Sequence, residues 1–392
     1  MSTATLEKPA ADAGQSRANH EASSRMKLTI DRSALIKTLA HTQTVVERRG
    51  TIPILSNLKL EAANGMLQMT ATDMDIALVD KVAADISEPG ATTVPAHMLY
   101  DIVRKLPDGS QVEMSMGKDG KMTIRAGQSR FTLSSLPVQD FPVMAEGELP
   151  HSFTLTASEC MALIDKTRFA MSTEETRYYL NGIYLHATGE VLRTVATDGH
   201  RLARIEVALP AGAAGMPGII IPRKTVGEFR KLLEQGVNEV QISVSDTKIR
   251  FTCGNATLVS KLIDGNFPDY DRVIPVTNDK ILEIDCKQFT QAVDRVSVIA
   301  SEKSRGIKFA LESGKLTLSA TSPEHGTAME EIEVNYSADA LEPGFNSRYL
   351  LEMMSQIEGD TVQFVLAETA SPALVRDPAD VGALYVIMPM RV

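Results

Sequence analysis

The chain has 392 residues, of which 43% are hydrophobic and 23% charged, with a formal net charge of −10. That length exceeds one ordinary core and points to two or three domains, and no apolar run reaches the roughly 18–20 residues that span a membrane. The three cysteines, Cys160, Cys253 and Cys286, are far apart, show no metal-ligand spacing and suit a reducing cytoplasm.

Residues 1–25 are rich in Ala, Ser and Glu and lack an apolar stretch. They read as a disordered extension, not a secretory signal, and Met26 begins the first structured pattern. Leu28–Asp31 is a short strand. Leu35, Ile36, Leu39 and Val46 then recur at helical spacing over 32–49. A hairpin turns at Asn64-Gly65, and Asp73-Met74-Asp75 breaks the next strand. Pro95 opens a second helix with Leu99, Ile102, Val103 and Leu106 on one face. Strands at 111–116, 121–126 and 129–136 close the pattern.

The same order restarts at 151 and again at 282. Phe153–Thr156 and Leu282–Asp285 are the opening strands. Helices follow over 158–172 and from Phe289 to Val296, and second helices open at Pro222 and near Tyr349. In the middle copy, 177–204 reads as two strand-like runs joined at 187–190 and ending in the turn Asp198-Gly199-His200-Arg201. Each copy has about 125 residues, long for a solenoid unit, so the copies read as whole domains: 26–148, 149–278 and 279–392. Each holds two helices and mostly antiparallel strands, an α+β architecture in which an apolar helix face covers a sheet face.

The six helix segments carry 15 Lys and Arg against 9 Asp and Glu, so +6 sits on helices and −16 elsewhere. Helices facing one way make a basic face on an acidic protein. Trp is absent and aromatics are 5%. Such a face suits sequence-tolerant phosphate contact more than base stacking.

Asp198, His200 and Ser172 or Cys160 resemble pieces of a triad, but no nucleophile elbow, phosphate loop or metal motif accompanies them. The sequence therefore assigns no catalytic residue, no metal and no cofactor. The freedom of Gly at positive φ accounts for Gly199. Leu180, Arg201 and Leu202 are either core or pocket wall. The apolar end of the chain, Tyr385–Val392, either caps the core or offers soft Met side chains at the surface.

RYYLNG at 177–182, TVATDGHRLA at 194–203, FPDY at 267–270 and MPMR at 388–391 closely resemble the bacterial beta sliding clamp family, the beta subunit of DNA polymerase III. The resemblance runs from Met26 to Val392. It implies three similar clamp domains per chain and a head-to-tail homodimeric ring with helices lining the hole. Such a ring is non-enzymatic: it encircles double-stranded DNA and tethers the polymerase III catalytic subunit, the clamp loader and other clamp-binding-motif proteins, with no membrane role.

The resemblance also implies site residues. One part of a partner-peptide pocket falls on Leu180, Thr197, Gly199, His200, Arg201, Leu202, Pro268, Arg272, Val273, Val386 and Met388. The other falls on Asn346, Tyr349, Pro389, Met390 and Arg391. Ala370 and Pro372 stand where the family often carries a larger aliphatic residue and Ser. DNA contacts fall on Arg49, Tyr178, Tyr179, Arg223 and Lys224, with Glu174-Glu175 where a neutral amide is familiar. Dimer contacts fall on Phe131 and Leu133 against Val298 and Ile299. A monomeric scaffold that ignores DNA is the other reading, and size separates the two.

Overall fold

The computed structural model describes residues 25–392 except 49, 118, 146 and 301–304. The extension expected before Met26 therefore lies, Arg25 apart, outside the described residues. The chain forms two compact units: Met1–Glu148 with Lys231–Ile242 and Ile249–Lys261, and Leu149–Arg230 with Ser243–Lys248 and Leu262–Val392.

In the first unit, helix α1 (Arg32–Val45) is capped by the Asp31 carboxylate, which accepts from the Ser33 and Ala34 amides. It stops short of the expected 49, because Val46 turns extended and is itself buried. Leu35, Leu39 and Val45 are fully buried against the strands Met66–Thr72 and Ile76–Ala83. Helix α2 (Ala96–Lys105) follows Pro95 and packs on α1 through its buried Leu99 and Val103 face. The Asn64-Gly65 turn has φ of 52° and 71°, the paired positive values that match the twist of a two-residue hairpin. A five-stranded antiparallel sheet runs Asp85–Glu88, Lys27–Asp31, Gln111–Met116, Lys121–Ala126 and Ser129–Ser134, with the last strand at its edge.

The other sheet of this unit does not stop at the sequence repeat. After Gly90–Pro95, Asn57–Ala63, Met66–Thr72 and Ile76–Ala83 comes Ala256–Lys261, from the next repeat, with Ser260 opposite Ile76 and Thr257 opposite Val79. The repeats share their sheets: the leading strands of one copy are completed by the trailing strands of the next.

The second unit repeats the device. Helix α3 (Ala157–Arg168), closed by a capping box between Thr156 and Glu159, lies on the strands Val191–Thr197 and Arg201–Ala208. Helix α4 (Arg223–Leu233) begins here. The sheet runs Ile219–Pro222, Gly182–Thr188, Val191–Thr197, Arg201–Ala208, Asp380–Ile387, Ala373–Asp377, Thr361–Leu366 and Lys280–Asp285. Helices α5 (Cys286–Ser297) and α6 (Ser347–Met354) pack together, and α5 covers Lys315–Ser322 and Gly326–Glu333. Gly326–Glu333 is the edge of a four-stranded sheet completed by Lys315–Ser322, Gly306–Glu312 and Gly344–Asn346. One local expectation fails: 175–180 is a 3-10 turn, not a strand, and the strand begins only at Gly182. Leu180 is buried there while Tyr178 stays exposed, an order that alternation cannot supply.

Candidate functional site

The turn after Val191–Thr197 is built by its own side chains. The Thr197 hydroxyl donates to the Arg201 carbonyl at 2.7 Å and accepts from the Gly199 amide at 3.1 Å. The Asp198 carboxylate accepts from the His200 and Arg201 amides at 2.9 and 3.0 Å. The first repeat builds the same turn: Thr72 bonds the Ile76 carbonyl and the Met74 amide, and Asp73 accepts from the Asp75 and Ile76 amides. Met74 there has φ of 79°, and Gly199 has 87°. A side chain on Gly199 would also meet the Arg177 guanidinium, whose Nη1 lies 2.6 Å from an ideal Cβ. Glycine thus serves both the backbone and Arg177, which lies across the turn and is held by Glu174. That ion pair holds the Glu174 carboxyl below its ordinary value and raises the Arg177 guanidinium.

Arg201 is 6% exposed and has a partner on every side. It donates to Asp198, to the Phe169 carbonyl at 2.6 Å and to Glu352. Its guanidinium lies 4.2 Å from the Tyr349 ring centre and 5.2 Å from that of Phe169. Burial alone would raise the Glu352 carboxyl; hydrogen bonds from Arg348 and Arg201 outweigh it and hold the carboxyl below its ordinary value. The His200 and Tyr349 rings stack with centres 6.5 Å apart. A polar cleft of about 420 Å³ opens between Phe169, His200, Arg201, Tyr349 and Glu352.

Beside the turn runs the end of the chain. Leu202 pairs with Val386, the Met388 amide donates to the His200 carbonyl at 2.9 Å, and the Met390 amide donates to Gly344 at 2.8 Å. Leu202, Val195, Val386, Leu384, Leu374, Val365 and Tyr270 form a buried apolar cluster, with Tyr184, Phe267 and Ile274 half-buried against it. Pro268, Arg272 and Val273 are exposed at its rim, as is Met388 at 41%. A further cavity of about 620 Å³ is lined by Ala370, Pro389, Met390, Arg391 and Val392.

The fold therefore brings the two sequence-predicted pocket sets to one unit. Leu180, Thr197, Arg201, Leu202 and Val386 are buried walls and floor; Gly199, His200, Met388 and Arg391 are exposed; Tyr349, Asn346, Pro389 and Met390 lie between. Both readings of the chain's end hold in part, since Tyr385–Ile387 is core and Met388 is surface. Asn346 has a structural task as well: its side chain caps α6, accepting from the Arg348 and Tyr349 amides. The members of the triad-like grouping have structural tasks. Asp198 is spent on backbone amides and Arg201, Ser172 accepts from the Glu174 amide, and Cys160 is buried.

Tyr178 and Tyr179 sit edge to face on the 3-10 turn. Arg223 opens α4 and bonds the Met171 and Ser172 carbonyls at 2.8 and 2.7 Å; burial lowers its pKa. Lys224 is exposed beside it, and Arg49 lies outside the described residues. Phe131 and Leu133 are half-buried on the edge strand Ser129–Ser134, Val298 is 77% exposed just past α5, and Ile299 is half-buried. Sequence reasoning missed Phe169, Arg177 and Glu352. Glu352 is 151 positions from its partner Arg201, a separation that leaves no local pattern. Among the described residues no acidic, His or Cys cluster could hold a metal, and no helix is long and apolar enough to cross a membrane.

Comparison with known proteins places the whole of this region. Residues 26–145, 154–269 and 271–391 match the N-terminal, central and C-terminal domains of the DNA polymerase III beta subunit. The beta sliding clamp of Caulobacter vibrioides is 54% identical over 372 residues, covering 94% of this chain and all of the relative. That of Escherichia coli K12 is 40% identical over 369 residues, covering 93% and all of the relative. Among solved structures, a Caulobacter crescentus beta sliding clamp superposes with a TM-score of 0.92 at 53% identity, over 94% of this chain and all of the other. A Bartonella birtlesii sliding clamp bound to griselimycin gives 0.92 at 48% identity, with the same coverage.

Proposed function

The chain belongs to the DNA polymerase III beta-subunit family, the beta sliding clamps, and from that premise we propose how its residues close a ring on DNA and dock partners. It is a non-catalytic processivity factor. Enclosure holds the ring on duplex DNA without tight contact, and a polymerase docked on it gains effective concentration at the template.

One observation carries the ring. Inside the chain, the third strand of a leading set always meets the last strand of the following repeat: Ile76–Ala83 with Ala256–Lys261, and Arg201–Ala208 with Asp380–Ile387. Two strands are left over, Gly326–Glu333 and Ser129–Ser134, each at the edge of its sheet. A second copy of the chain supplies the missing partner for both. Two copies joined head to tail then close, with six repeats and neither edge free. Phe131, Leu133, Val298 and Ile299 belong to this junction. The domains divide at 26–148, 149–278 and 279–392.

Tyr178, Tyr179, Arg223, Lys224 and Arg49 meet duplex phosphates without reading bases. The apolar cluster around Leu202 and Val386, walled by Tyr349, Met388 and Met390, takes the Leu and Phe anchors of a partner's linear motif. The polymerase III catalytic subunit and the clamp loader are the partners in view. The three cysteines, buried and in no disulfide, suit the cytoplasm. The test is topological: protein loaded on nicked circular DNA stays through gel filtration and leaves once the circle is cut. Equal loss from circular and linear DNA overturns the ring.

A further inference from the structure

Gly306 and Gly344 face each other's strands at the edge beside the pocket, in the pairs Gly306–Asn346 and Lys308–Gly344. Neither has a positive φ, so backbone conformation does not explain them. Each opens its strand, and glycine in a strand costs stability and marks a close approach by another group. That group is the Val392 side chain. A Cβ on Gly306 would lie 2.3 Å from Val392 Cγ1, and one on Gly344 would lie 2.4 Å from Val392 Cγ2 and 2.6 Å from the Met390 carbonyl oxygen. The Met390 amide is tied to the Gly344 carbonyl at 2.8 Å, so backbone and side chain dock together. Between this point and the Met388 amide, held by His200, lie Pro389 and Met390, the wall shared by both parts of the pocket.

We propose that Gly306 and Gly344 form a seat for Val392, and that seating this valine positions Met388–Met390 for partner-peptide binding. Val392, Gly306 and Gly344 are positioning residues: they act through the wall, not by touching the peptide's anchors. The inference rests on the pocket reading above. In that setting the seat sets how much of the wall is in place before a peptide arrives. A loose wall must be ordered on binding, and that ordering weakens affinity.

The experiment measures binding of a synthetic peptide with Gln, Leu and Phe anchors, by fluorescence anisotropy, to the full chain. Failure of the unaltered protein to bind sinks the pocket reading itself. If it binds, Gly306→Ala should weaken binding about tenfold, the scale of one unseated aliphatic side chain. Val392→Gly, which leaves the sheet untouched, should weaken it by a similar factor. Combining them decides the point: Gly306→Ala should add little once the valine side chain is gone, because the only contact it strains has been removed. Additive losses, or unchanged affinity in Val392→Gly, overturn the seat. The mass of each variant in solution should equal that of the unaltered protein; a changed mass with lost binding also counts against it.

Discussion

Arg201 shows how one side chain can tie a turn to a helix far along the chain. It is buried, and a buried guanidinium is tolerable only when paired and hydrogen-bonded. Asp198 and Glu352 supply charge, the Phe169 carbonyl supplies an acceptor, and Tyr349 supplies a ring face. The chain thus ties the middle repeat's turn to the third repeat's helix α6 beside the polar cleft. The sign of the pH dependence follows from Glu352. Its folded pKa lies below its ordinary 4.5, so its contribution is present above that value and is lost as the pH falls through the lower, folded value. Glu352→Gln should therefore melt at a lower temperature than the unaltered protein near neutral pH, with the gap narrowing below about pH 4.5. Thermal unfolding followed by circular dichroism at several pH values checks this; a gap that stays constant into acid would contradict it.

At the level of elements, the first two repeats share a turn, and only the second carries Gly199-His200-Arg201-Leu202 on it. In the first repeat the position of His200 is Asp75, and Lys261 stands where Met388 donates to the turn. The two form an ion pair at 3.0 Å, and Ile76 replaces Arg201. On the same face, Thr70, Ala77 and Val259 replace Val195, Leu202 and Val386. The scaffold is shared, and the buried apolar cluster belongs to the second copy. Asn346 separates scaffold from site at the start of α6. Asn346→Ala should cost about 1 kcal/mol, the value of a lost N-cap, while Asn346→Asp keeps the cap and the stability. Denaturant unfolding decides; equal losses in both would deny the cap. Periodicity and turn chemistry made such local elements legible: the Pro95 and Pro222 helix starts, the Asn64-Gly65 turn and the trailing strands were all readable. What was not readable is pairing across long separations. Residue alternation fixes which face of Ala256–Lys261 is buried, yet it carries no information on its neighbour, Ile76–Ala83. The pocket residues came from motif resemblance for the same reason: Leu202 and Val386 are 184 positions apart and touch only in the folded sheet.

For the whole molecule, the two leftover edges are chemically complementary. Gly326–Glu333 carries Glu330, already paired with Arg295, and Glu331 and Glu333, with Lys315 on the neighbouring strand; Ser129–Ser134 carries Arg130 and lies beside Lys121 and Arg125 on its neighbour. Opposite charges across paired strands stabilise, and like charges destabilise. Apolar Phe131 and Leu133 sit on the basic edge. An exposed edge of this kind invites unspecific pairing unless another strand covers it. The proposed head-to-tail closure would place an acidic edge on a basic one at both junctions, whereas like-with-like pairing would oppose two acidic or two basic edges. The net charge of −10 is then no obstacle to DNA. What matters is where the basic residues face, and the proposed junction would cover the acidic edge. Replacing Phe131 and Leu133 with Glu removes two apolar groups worth about 1.5–3 kcal/mol each when buried and sets like charge against Glu330, Glu331 and Glu333. The doubly substituted chain should sediment at the mass of one chain where the unaltered protein sediments at two. It should still bind the anchor peptide, because Leu202, Tyr349 and Met388 lie in a unit that holds neither substitution. It should no longer be retained on circular DNA. A two-chain mass that survives both substitutions would show that the ring closes elsewhere.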